Sequence, residues 1–161
     1  MDTVVDKVVA ELDSILAEDA FREILQIDSP TKWGDPGLII VDEYPYFFVD
    51  PISDSPTTET AGRAGYDVRQ LTMNIALVVN VSDYFDPMVD ESSGLKNMVR
   101  AMNLVRARFR RLSKSSLDGE AGSVRRVVVG PINYVPDVRN GVFVRLAVIS
   151  LVVDKQYQHE E

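Results

Sequence analysis

The chain has 161 residues, no cysteine, one histidine and a formal net charge of −8. That length holds one domain with a real core, and 45% hydrophobic against 26% charged residues excludes global disorder. Without cysteine there are no disulfides, thiolate metal sites or thiol nucleophiles, and the lone histidine, His159, followed only by Glu160 and Glu161, argues against a Ser-His-Asp triad or a multi-histidine metal site.

Charge is unevenly placed along the chain. Residues 1–60 carry 14 acids and 3 bases, residues 61–95 carry 5 acids and 2 bases, and residues 96–161 carry 6 acids and 12 bases. An acidic front is therefore joined to a basic back. Such a split suits nucleic-acid contact on the basic part, self-association of acidic on basic surface, or two solvated faces of one fold.

The spacing predicts a first helix over about 3–27. Thr3 and Asp6 make a capping-box-like start, and Val5, Val8, Val9, Leu12, Ile15, Leu16, Phe21, Ile24 and Leu25 form its apolar stripe. The N-terminus is acidic and amphipathic rather than a basic leader, and no stretch approaches the ~18 apolar residues of a membrane span. Ser29-Pro30 and Trp33–Gly37 break the chain. Leu38–Val41 and Tyr46–Val49 read as strands, or as one strand interrupted by Pro45.

Residues 50–65 carry Pro, Gly, Ser and Thr with almost no large apolar side chain, and read as a projecting hairpin loop. Tyr66–Val81 is the clearest strand, with Leu71, Met73, Ile75, Leu77, Val79 and Val81 alternating with Thr72, Asn74, Ala76, Val78 and Asn80. At roughly 3.3 Å per residue it exceeds about 40 Å and reaches past a domain core of this size. An acidic loop over 82–93 precedes a second helix, about 94–113. Its apolar stripe is Leu95, Met98, Val99, Met102, Val105, Phe109 and Leu112, and its last turns are basic. Two closing strands follow, Val124–Val135 and Val142–Val153, with Asn140-Gly141 as a hairpin turn signal inside the connection 136–141. The last strand is apolar on both sides in its middle, so it is expected to be buried on both faces.

The order is α-β-β-β-α-β-β: an α+β domain spanning 1–161, with a mostly antiparallel sheet, two helices on one face, and a flexible tail at 155–161.

Chemistry-bearing patterns are sparse. Asp83, Asp86, Asp90 and Glu91 lack the spacing of a calcium loop. Gly62–Gly65 is not followed by the Lys-Ser/Thr of a phosphate loop. Many serines lack a histidine base. No catalytic, cofactor or metal site is expected. Arg106 to Lys114 is the densest basic run, but its one aromatic, Phe109, lies on the apolar stripe, and a pI near 4.7 does not suit an autonomous nucleic-acid binder. Ionic contact with a neighbouring subunit is a better use for these arginines, and a solvated helix end is the plain alternative.

The amphipathic first helix, the Pro/Gly break before Leu38–Val41, the long hairpin with its loose loop, the helix Leu95–Leu112 and the closing strand Val144–Val153 together resemble the tail terminator and tail-completion proteins of long-tailed bacteriophages and related viruses. The resemblance spans nearly the whole chain and rests on size, element order and the alternating closing strand, without a signature motif. It implies a structural virion protein: a ring, usually of six identical copies, that sits on the last tail-tube ring and stops its polymerisation. That ring offers a surface to the head-completion or connector protein. DNA passes through its lumen without sequence recognition, and it involves no enzyme activity, cofactor or membrane. Under that reading Asp54, Thr57, Glu59 and Arg63 belong to an axial docking loop, and Arg106, Arg108, Arg110 and Arg111 to ionic contacts between subunits or along the axis. The virion neck is then its place, and the host cytoplasm during assembly. A head–tail connector or adaptor of the neck, and a small monomeric α+β binding module, are the alternative readings.

Overall fold

A computed structural model describes residues 2–33, 44–56, 66–80, 91–112, 117, 122–139 and 141–158. Among these the elements are α1 (Asp2–Leu16), α2 (Asp19–Arg22), β1 (Lys32–Trp33), β2 (Tyr46–Pro56), β3 (Tyr66–Asn80), α3 (Glu91–Arg111), β4 (Gly122–Arg139) and β5 (Val142–Gln158). The fold is mixed α and β. Its five-stranded sheet has the order β1-β2-β3-β5-β4, antiparallel except where β1 runs parallel to β2.

The period-two pattern of β3 and β5 becomes two faces of one sheet. Leu71, Met73, Ile75, Leu77 and Val79 of β3 lie in register with Val153, Leu151, Ile149, Ala147 and Arg145 of β5. The apolar members of this set join Phe47 and Val49 of β2, Val4, Val5, Val8, Leu12 and Ile15 of α1, and Met98, Met102, Val105 and Phe109 of α3 in the main core. Burying these side chains is the chief stabilisation, each worth about 1.5–3 kcal/mol. The other face holds a smaller cluster of Tyr46, Phe48, Ala76, Val78, Val144 and Leu146. Burial of β5 on both faces is thus limited to this end: Val148, Ser150 and Val152 are half-buried.

Several expectations are corrected. The single helix over 3–27 is two helices, so the described order is α-α-β-β-β-α-β-β, with three helices rather than two. Phe21 stands nine residues after Leu12, about half a turn out of phase on a continuous helix. The chain instead tightens at Glu18, whose N–H bonds to Ile15 O, and turns extended there. That break lets Phe21 enter the core beside Phe47, ring centroids 6.2 Å apart. The middle three strands include Lys32–Trp33, which sequence reading missed, while the expected strand Leu38–Val41 lies outside the described residues.

The predicted loop 50–65 is strand for its first seven residues, since β2 runs to Pro56 against β3 with a register shift between Pro51 and Ser53. Composition misled here: backbone pairing with a strong neighbouring strand overrides weak strand propensity. β4 likewise does not stop before Pro136 but continues through it to Arg139. It is an edge strand, where a missing N–H can face away from the sheet. The connection to β5 shrinks from six residues to two, with Gly141 at φ +77°. The predicted tail at 155–161 is strand to Gln158, and Lys155 is only 1% exposed. It lies in register between Arg69 of β3 and Val124 of β4.

Candidate assembly interface

The charge split of the sequence becomes a split between two flanks. Helix α1 packs over β1 and β2, and α3 over β5 and β4, so the two helices lie toward opposite edges of the sheet. Residues 11–28 contain six acids and one base, and residues 92–117 contain seven bases and no acid. Amphipathic spacing explains why each charge set stays at the surface: the apolar stripe of each helix is consumed by the core, leaving Asp6, Asp19, Glu23 and Asp28 exposed on one flank and Lys96, Arg100, Arg110 and Arg111 on the other.

The four predicted arginines all fall on α3 but do different things. Arg108 is turned inward along its own chain and grips Glu18 at the α1–α2 corner with both guanidinium arms, Nη1 to Oε1 at 2.7 Å and Nη2 to Oε2. This bidentate pair joins the two helices and removes Arg108 from the set of unengaged cations. Arg106 is half-buried, with Nη2 3.4 Å from Asn103 Oδ1. It also lies near Tyr134 of β4, whose phenol is pushed above its ordinary pKa by burial, with the Arg106 charge pulling the other way. Arg110 and Arg111 are exposed, and among the described residues neither is ion-paired.

Asp54 does not join these arginines. It sits in β2 and accepts a 2.5 Å ion-paired hydrogen bond from Arg69 Nε of β3, both side chains about one-third exposed. Thr57, Glu59 and Arg63 lie outside the described residues, as do Asp83, Asp86 and Asp90. Among the described residues no three metal-binding side chains gather, and no helix is long and apolar enough to cross a membrane.

Two surface features were not read from the sequence. An open cleft of about 320 Å³ lies between α1 and the segment leading into edge strand β1, lined by Asp13, Leu16, Ala17 and Arg22 and by the run Ile27–Pro30. Asp13 Oδ1 accepts the Thr31 N–H at 2.8 Å and so ties α1 to this segment. Thr31 Oγ1 is buried with no hydrogen-bond partner among the described residues. The Ser29-Pro30 break was the available signal, since it returns the chain past α1. The second feature is the β4–β5 hairpin end, where Val138 and Phe143, paired across the strands, are 55% and 70% exposed.

No protein-family model matches the chain, and no curated protein is significantly similar to it.

Proposed function

We propose that the chain is a self-assembling structural protein whose copies join head to tail into a ring, and that this ring caps a viral tail tube. A ring built from identical subunits needs two different and complementary surfaces on each copy. The acidic α1 flank over β1–β2 and the basic α3 flank over β4 are such a pair, and this separation of charge across the sheet is the observation that carries the reading. It acts through orientation and encounter as well as affinity, because like flanks repel and unlike flanks attract.

The capping role rests on the resemblance to tail terminators. In that role the ring, six copies in the usual case, seats on the tail tube protein and ends its growth. It then presents its other side to the head-completion or connector protein and lets DNA pass. The exposed Val138–Phe143 pair at the β4–β5 hairpin end, with the Asp137–Arg139 ion pair beside it, supports a second, axial contact surface. The finer architecture belongs to the same reading: two principal helices stacked on one face leave the other face of the sheet for the ring interior.

Mass measured by light scattering in low and moderate salt tests the assembly step: a ring is expected, weakening as salt screens the flanks. A strict monomer that neither binds tail tubes nor limits their length overturns the reading. Tubes of uncontrolled length in the absence of the protein support capping. Tubes of normal length that fail to join heads assign it instead to the connector of the neck.

A further inference from the structure

We propose that the cleft beside α1 is the receptor of the head-to-tail contact, and that it takes the exposed basic face of α3, led by Arg110 and Arg111, from a second copy. The inference rests on the ring reading and names the two surfaces that meet.

The cleft lies on the acidic flank, between α1 and the segment 27–30 that leads into edge strand β1. Two carboxylates line it, Asp13 and Asp28, against one cation, Arg22, whose neighbours Asp19 and Glu23 are exposed acids. It also sits at the C-terminal end of α1, where the helix dipole favours a cation. Leu16 and Ile27 supply an apolar wall for the stem of a long basic side chain. The occupant must bring exposed cations that its own chain does not use. Arg108 is spent on Glu18, whereas Arg110 and Arg111 stand exposed at the end of a helix with no acid after Glu91. A guanidinium suits the site better than an ammonium, because its fork matches a carboxylate and it sheds water more readily.

The alternative way for identical copies to join, strand addition between sheet edges, is disfavoured by the edges themselves. On one edge β4 carries Pro131 and Pro136 and two register shifts; on the other, β1 covers only Phe48 and Val49 of β2, and the rest of β2, to Pro56, carries Pro51 and Pro56 and one register shift. Prolines and bulges are the usual guards against edge pairing. Side-chain docking between helical flanks is left as the contact.

The test reverses each flank and then both. Asp28→Lys alone, and Arg110→Glu with Arg111→Glu alone, are each expected to weaken self-association about tenfold or more, read as mass by sedimentation or light scattering in low salt. Each keeps the wild-type circular dichroism spectrum, since the altered side chains are exposed. Placing all three substitutions on one chain restores assembly to near the wild-type level, as does mixing the two flank variants in equal amounts. Flank variants that assemble like wild type, or a combined variant that stays dissociated, overturn this contact while a wild-type ring stands. A wild-type chain that is monomeric throughout and neither binds tail tubes nor limits their length overturns the ring reading together with it.

Discussion

Arg108 of α3 and Glu18, the residue that opens α2, form a two-pronged ion pair across 90 positions of sequence. The pair fixes the corner where the first helical segment ends against the end of the third, and it divides the basic run of α3 into one cation used within the chain and others held outside it.

Arg108→Ala is therefore expected to lower folding stability modestly, by up to about 1 kcal/mol, because the two side chains are 41% and 31% exposed and solvent screens them. Arg110→Ala with Arg111→Ala leaves stability within about 0.5 kcal/mol of wild type, as exposed substitutions usually do. Urea unfolding of the variants separates the two classes. Equal losses would remove the distinction.

Phe21→Ala empties the position that the helix break exists to fill. Phe21 is fully buried against Phe47, and the loss is expected at about 3–5 kcal/mol. That is a large part of the 5–15 kcal/mol typical of a domain, and a thermal melt reads it directly.

Gly141→Ala tests the hairpin. A Cβ at this position meets nothing within 4 Å, so any cost is conformational and arises from φ +77°. A loss of about 1–2 kcal/mol is expected, with no change in assembly if the hairpin end keeps its place.

Alkaline pH tests the smaller cluster. Burial raises the Tyr46 phenol above its ordinary pKa of 10; the Arg139 charge opposes this, Tyr44 adds to it, and a hydrogen bond from Arg139 opposes it again. The unfolded chain then releases this proton near pH 10 while the native chain still holds it. Stability is accordingly full below pH 10 and falls as pH rises from there through the native value. Tyr46→Phe removes this share of the fall, so its urea midpoint declines less steeply above pH 10 than that of the wild type.

Arg139 shows what topology adds. It belongs to edge strand β4, yet its guanidinium carbon lies 5.5 Å from the ring centroid of Phe48 on β2, three strands away in the sheet order. Phe48 shares its register with Asn133, six residues from Arg139 along β4, so three strand spacings sideways and six residues lengthwise amount to about 24 Å on a flat sheet. Two side chains do not bridge that distance, so the sheet coils toward this face and folds the charge over the aromatic cluster. Nothing in the local pattern around residue 139 announces such a partner.

Local periodicity was enough to read the mixed α and β class, the β3 and β5 strands with their two faces, the α3 stripe and the unequal distribution of charge. Each depends on neighbours within a turn or a pleat, and the sequence carries that information directly. The tertiary structure alone decided the break at Glu18, the persistence of β2 through a loop-like composition and of β4 through Pro136, the burial of Lys155, and the division of labour among the arginines. Those outcomes depend on partners far away in the chain. Phe47 waits for Phe21, β3 supplies the hydrogen bonds that hold Asp50–Pro56 extended, and Glu18 claims Arg108 while Arg110 and Arg111 remain at the surface. A count of charge along the chain sees four arginines alike, and only the packing of one helix against another makes them different.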